Sequence, residues 1–120
     1  MPLRCLLVDD SVAFLDTASR LLEQQGLTVA GVASSTAEAL RQARALRPDV
    51  ILVDIRLGSE SGFALARLLA GDDQGAGVIM ISSRAEADYA DLIAESPAAG
   101  FLAKSKLSAA GISQILGHTP

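Results

Sequence analysis

Four short apolar runs in this chain each stop at a polar residue. Leu6-Leu7-Val8 meets Asp9-Asp10, Val50-Ile51-Leu52-Val53 meets Asp54, Val78-Ile79-Met80-Ile81 meets Ser82, and Gly100-Phe101-Leu102-Ala103 meets Lys104. Apolar runs of this length, bounded by polar residues, read as strands buried on both faces. The first is expected over Arg4–Val8, the third over 50–53, the fourth over 78–82 and the fifth over Gly100–Ala103. A weaker strand is expected over Thr28–Ala33, where the interruption at Gly31 suits a sheet edge.

Between these runs the apolar spacing changes to that of a helix. Leu15, Ala18 and Leu22 fall at i, i+3 and i+7, with Ser11 or Asp10 as cap and Gly26 as terminator. Ser35-Thr36-Ala37-Glu38 has capping-box spacing and opens a second helix that runs to Leu46, before Pro48. A third helix is predicted over 62–70, and a fourth over 85–95, stopped by Pro97. The fourth carries few large apolar residues and should be the least firmly docked. The fifth begins at Ser108, with Leu107 able to staple against Ile112, and turns Ile112, Ile115 and Leu116 toward the sheet. Residues 54–61, with Gly58, are expected as an exposed loop, and 72–77 as a polar turn. No internal repeat, linker or low-complexity tract is evident.

Five alternating strand–helix units imply one α/β domain, a doubly wound parallel sheet in the order 2-1-3-4-5 with helices on both faces. Right-handed crossovers bring every strand end to the same rim, where ligands of open α/β sheets bind. The carboxylates of Asp9, Asp10 and Asp54, the Ser82 hydroxyl and the Lys104 ammonium therefore converge. Three acids in one pocket do not all stay ionised cheaply without a cation. A divalent metal is the simplest remedy, and Lys104 then remains to meet an anion. The constellation reads as a metal-plus-phosphoryl site.

Composition narrows the reading further. The 120 residues suit a single domain, 1–120; half are hydrophobic but only 3% aromatic, so Leu, Val, Ile and Ala must build the core. A net charge of −4 argues against nucleic-acid contact by this chain. Cys5, the one cysteine, lies in the first apolar run and reads as a core residue. No run approaches the ~18 apolar residues of a membrane span, and no signal pattern opens the chain, so no membrane partner and a cytoplasmic location are expected. Arg41, Arg44 and Arg47 read as the solvated side of the second helix, and His118 as neither ligand nor base.

With Asp9-Asp10 after strand 1, Asp54 after strand 3, Ser82 after strand 4 and Lys104 after strand 5, the chain resembles the receiver domain of bacterial two-component response regulators, the CheY-like, flavodoxin-like fold. Each motif is weak alone; the set is specific and spans nearly the whole chain. Asp54-Ile55-Arg56-Leu57 and Gly100-Phe101-Leu102-Ala103-Lys104-Ser105 are most similar to receivers of LuxR/NarL-type regulators, although no DNA-binding domain is expected within these 120 residues. The chain is expected to be either a single-domain regulator or an excised receiver.

The resemblance implies a phosphoacceptor switch rather than an enzyme. Asp54 would be phosphorylated by a histidine kinase or a small phosphodonor. Asp10 would ligate Mg²⁺ directly, Asp9 mainly through a metal-bound water, and Asp54 and the Arg56 carbonyl would complete the protein ligands; Mn²⁺ can substitute. Ser82 and Lys104 would contact phosphoryl oxygens, and Phe101 would occupy the aromatic switch position. The output would pass through the face of helix 4, strand 5 and helix 5 to an unknown partner. Two departures are visible: Gly58 stands where the family often has proline, and Ser105 where proline usually follows the lysine. A Lys-Ser bond strongly prefers trans, so that loop is expected to differ.

Arg56 and Arg84 lie two residues beyond Asp54 and Ser82. They read either as plain rim charges or as residues that tune access of water or phosphodonor. A dehalogenase-type phosphatase would need a second Asp at position 56, where Arg stands. A nucleotide- or flavin-binding module would need a glycine-rich first turn, which is missing. The remaining alternative is an unphosphorylated pseudo-receiver acting as a protein-interaction module.

Overall fold

The computed structural model describes residues 3–72, 75–84 and 86–117. Five strands, β1 (Arg4–Val8), β2 (Thr28–Ala33), β3 (Val50–Asp54), β4 (Gly77–Ser82) and β5 (Gly100–Ala103), form one sheet. Its order is β2-β1-β3-β4-β5, and every neighbouring pair is parallel. The helices are α1 (Val12–Gln24), α2 (Thr36–Leu46), α3 (Gly62–Gly71), α4 (Ala90–Glu95) and α5 (Ala109–Leu116). The expected architecture and strand order are both present.

The period-two alternation along the strands divides the core. Cys5 and Leu7 of β1, Val50 and Leu52 of β3, and Ile79 and Ile81 of β4 meet Leu15, Ala18 and Leu22 of α1 and Ile112 of α5. Leu6, Val8, Ile51, Val53, Val78 and Met80 point the other way, to Ala39 and Ala43 of α2, Leu65, Ala66 and Leu69 of α3, and Ile93 of α4. Cys5 is fully buried, and burial pushes its thiol up to about 12, with the charge of Glu23 adding to the effect. It is a packed core residue.

Helix starts follow the sequence signals. Ser11, Ser35, Ser61 and Ser108 each accept a hydrogen bond from the backbone N–H three residues on. Glu38 reaches back to the N–H of Ser34. At the end of α2, Arg47 caps in the left-handed region at φ 48°. Arg44 pairs with Asp72, and the three arginines of this segment are exposed, as expected.

Three expectations are corrected. The fourth helix is not continuous: a 3₁₀ turn over Glu86–Tyr89 precedes a short α4, whose residues are all at least partly exposed. With no wide apolar stripe, only Tyr89 and Ile93 among the described residues of this segment pack against the core, too little to hold a long regular helix down on the sheet. Residues 54–61 are not wholly an exposed loop, because Arg56–Leu57 pairs with Glu60–Ser61 in a small antiparallel ladder. Ile55 and Leu57 are buried in the core beside Phe63. The third strand extends to Asp54, and a 3₁₀ turn, Lys104–Lys106, separates β5 from α5. The expectations for His118 and for Ala85 as a helix start fall outside the described residues.

Candidate functional site

Strand register builds the site as a staircase. Val8 pairs with Val53, so Asp9 and Asp54 follow side by side. Asp54 pairs with Ile81, which puts Ser82 one step further out; Ser82 pairs with Ala103, which puts Lys104 one step beyond. The polar groups that end four strands thus gather at one rim.

Adjacent residues in β1's exit have opposite exposure. Asp9 is fully enclosed, whereas Asp10 is exposed. Asp9 Oδ1 accepts a hydrogen bond from Ser11 N–H at 2.8 Å, and Ser11 in turn caps α1. Asp9 Oδ2 lies 2.5 Å from Lys104 Nζ, a close ion pair, but no well-aligned hydrogen bond reaches that oxygen. Asp54, 8% exposed, has Oδ2 at 3.4 Å from the same ammonium and Oδ1 at 3.3 Å from Arg56 N–H. Burial, and then the charge of Asp9, push the Asp54 carboxyl above its ordinary value; Lys104 and the Arg56 N–H only partly offset this. Burial alone would lower the Lys104 ammonium, but its contact with Asp9 and the charges of Asp54 and Asp9 hold it above its ordinary value.

Asp9, Asp10 and Asp54 each offer a carboxylate oxygen within 4.8 Å of the other two. Octahedral Mg²⁺ at about 2.1 Å from its ligands needs neighbouring oxygens about 3 Å apart and opposite ones about 4.2 Å apart. An all-oxygen donor set of three converging carboxylates fits a hard divalent cation.

The cleft above Asp54 is lined by Asp10, Arg56, Gly58, Ser82, Ser83, Arg84 and Tyr89. Ser82 is buried, and its Oγ accepts a hydrogen bond from Arg84 N–H at 3.0 Å. Both expected rim arginines therefore lie at the mouth. Gly58 sits at φ 61°, which proline, fixed near −65°, cannot adopt. The departure at 58 is thus a change of turn geometry. Among the described residues no peptide bond is cis, as expected for a lysine followed by serine. Phe101, 9% exposed, packs inward with the α2–α3–α4 half of the core.

Sequence reasoning missed two residues here. A Cβ at Gly62 would overlap the Asp54 carbonyl oxygen, so only glycine lets α3 start this close behind the acid. The Phe14 ring centroid lies 4.3 Å from Lys104 Nζ. Phe14 stands outside the 15, 18, 22 stripe, and its only signal was being one of three phenylalanines.

The response regulator receiver domain family profile matches residues 5–115. The chain belongs to the response regulator receiver domain family. The response regulator GacA of Pseudomonas viridiflava is 31% identical over 103 residues, covering 85% of this chain and 48% of GacA. The signal receiver domain of the response regulator NarL from Mycobacterium tuberculosis superposes with a TM-score of 0.84 at 27% identity, over 98% of each chain. A Burkholderia pseudomallei response regulator, solved with a phosphorylated aspartic acid, a calcium ion and citrate, superposes at 0.80 with 28% identity, over 93% of this chain and 65% of that one. The receiver spans no more than about half the length of the curated relatives it matches. As a receiver it is a phosphoacceptor switch, not an enzyme in the ordinary sense, and membership implies a cognate histidine kinase. Among the described residues no helix is long and apolar enough to cross a membrane.

Proposed function

We propose that Asp54 is the phosphoacceptor, and that a histidine kinase or a small phosphodonor charges it. The observation that carries this reading is one ammonium, Lys104, set against Asp54 at the edge of an all-oxygen acidic cluster. A carboxylate oxygen of Asp54 attacks phosphorus, the bond from phosphorus to the donor nitrogen or oxygen breaks with its electron pair leaving on the donor, and an acyl phosphate forms. Lys104 pairs with one phosphoryl oxygen. The Ser82 hydroxyl donates to another while its oxygen keeps accepting from Arg84 N–H. Asp10 would hold Mg²⁺ directly and Asp9 mainly through water, with Asp54 and the Arg56 carbonyl as the remaining protein ligands, and Mn²⁺ could substitute. When bound, the metal supplies charge neutralisation for the transfer.

The new bonds from Ser82 and Lys104 favour one state of the α4–β5–α5 face, and this differential binding shifts its population. The thinly docked α4 and the inward Phe101 are the parts that adjust, and an output protein reads the change. The whole chain, 1–120, acts as one receiver in the cytoplasm; the family match over residues 5–115 and the lack of a membrane-length apolar helix among the described residues support this reading. Arg56 and Arg84 cover the mouth and slow loss of phosphate.

Intact mass after incubation with acetyl phosphate tests the reading. One phosphoryl group should appear with Mg²⁺ and none with EDTA. No uptake with Mg²⁺ would remove it and leave a protein-interaction module.

A further inference from the structure

Lys104 has two kinds of partner. Asp9 and Asp54 draw its ammonium toward the rim, and the ammonium lies over the Phe14 ring, 4.3 Å from its centroid. The ring's place is itself secured by the site. Asp9 Oδ1 accepts from Ser11 N–H, and Ser11 Oγ accepts from Phe14 N–H at 3.2 Å. Phe14 therefore sits on the first turn of α1 by way of the same carboxylate that meets Lys104. Its ring packs against the α1–α5 half of the core.

We propose that Phe14 is a positioning residue for Lys104: its ring face keeps the ammonium turned toward Asp9 and Asp54 rather than toward solvent. This rests on the phosphoacceptor reading for its consequence, but not for its geometry. A lysine side chain is a flexible four-carbon stem, and holding it costs rotamer entropy. The carboxylates supply part of the hold. That part weakens when Asp9 and Asp54 share their charge with a divalent cation before the phosphoryl group arrives. The attraction between the ring quadrupole and the ammonium does not depend on those carboxylates, and it acts in a half-dry setting, since the Lys104 side chain is only 19% exposed. Phe14 thus matters most when the metal is bound and the phosphoryl group has yet to transfer.

The experiment uses the full chain, the variants Phe14→Leu and Phe14→Tyr, and two readouts. In NMR spectra, ring current should move the Lys104 ε-methylene protons upfield of ordinary lysine values, with and without Mg²⁺, and Phe14→Leu should abolish the shift. With Mg²⁺ and acetyl phosphate, Phe14→Leu should be labelled about fivefold more slowly, while Phe14→Tyr, which keeps the ring, stays within about twofold of native. Native-rate labelling of Phe14→Leu, equal losses in both variants, or ordinary Lys104 shifts in the native protein would overturn the proposal. If Phe14→Leu does not fold, the native spectrum and Phe14→Tyr decide. If the native protein takes no phosphate, the phosphoacceptor reading fails by itself and the ring-current shifts still decide the role of Phe14.

Discussion

Gly62 lies directly behind Asp54, so close that any Cβ at residue 62 would overlap the Asp54 carbonyl oxygen. The same glycine donates its N–H to Ile55 O at 2.8 Å, closing the small ladder that carries Arg56. The phosphoacceptor backbone and the start of α3 are therefore one packed unit. Gly62→Ala should cost about 1–3 kcal/mol of stability, since the obstacle is backbone and cannot swing aside. Gly71→Ala, where nothing lies within 4 Å, should be neutral or slightly stabilising. Urea melts of the two variants check this, and equal stabilities would refute it.

Asp54 carries a pH signature. Its carboxyl is held above its ordinary value, so between the unfolded and folded values the native state binds more protons than the unfolded state. Stability contributed by this group therefore falls as pH rises through that window. Asp54→Asn should be more stable than the native protein at pH 7 without metal, and the difference should vanish below the ordinary carboxylate range. Stability curves from pH 3 to pH 8 test this; a native protein more stable than Asp54→Asn at pH 7 would contradict it.

Lys104→Met leaves the enclosed Asp9 without its cation. The expected loss is about 1–3 kcal/mol at neutral pH. Because the folded Lys104 is held above its ordinary value, the native advantage is full below the ordinary lysine value and closes as pH rises through the folded one. Mg²⁺ should stabilise the variant more than the native protein, and labelling should fall about 100-fold. A variant as stable as native, with no larger response to Mg²⁺, would show the pair to be dispensable.

Much of this site was legible in the strand endings, because a parallel sheet sends the residue after each strand to one rim. Ser11, Ser35 and Ser108 were legible as caps because their chemistry is local. What escaped was set by tertiary contact. Gly62 is needed only because Asp54 passes behind it, and Phe14 matters only because Lys104, ninety residues later in the chain, reaches its ring. The burial of Ile55 and Leu57 within a polar stretch, and the break before α4, likewise depend on neighbours rather than on local pattern.

Arg56 and Arg84 flank the cleft over Asp54. Long cations there hinder an in-line water and attract anionic donors. Replacing both with Ala should speed loss of phosphate by at least about twofold and lower the salt sensitivity of labelling by acetyl phosphate. Dephosphorylation and labelling rates, each measured at two salt concentrations, check the point. Equal rates for native and variant at both salts would leave the two arginines as ordinary solvated charges.

The most direct test locates the phosphoryl group. After labelling with acetyl phosphate and Mg²⁺, reduction with borohydride converts an aspartyl phosphate to homoserine, which peptide mass mapping then finds. The expected result is a single modified position, Asp54, and no modification in Asp54→Asn. Modification at Asp9, Asp10 or a serine, or undiminished uptake by Asp54→Asn, would contradict the account.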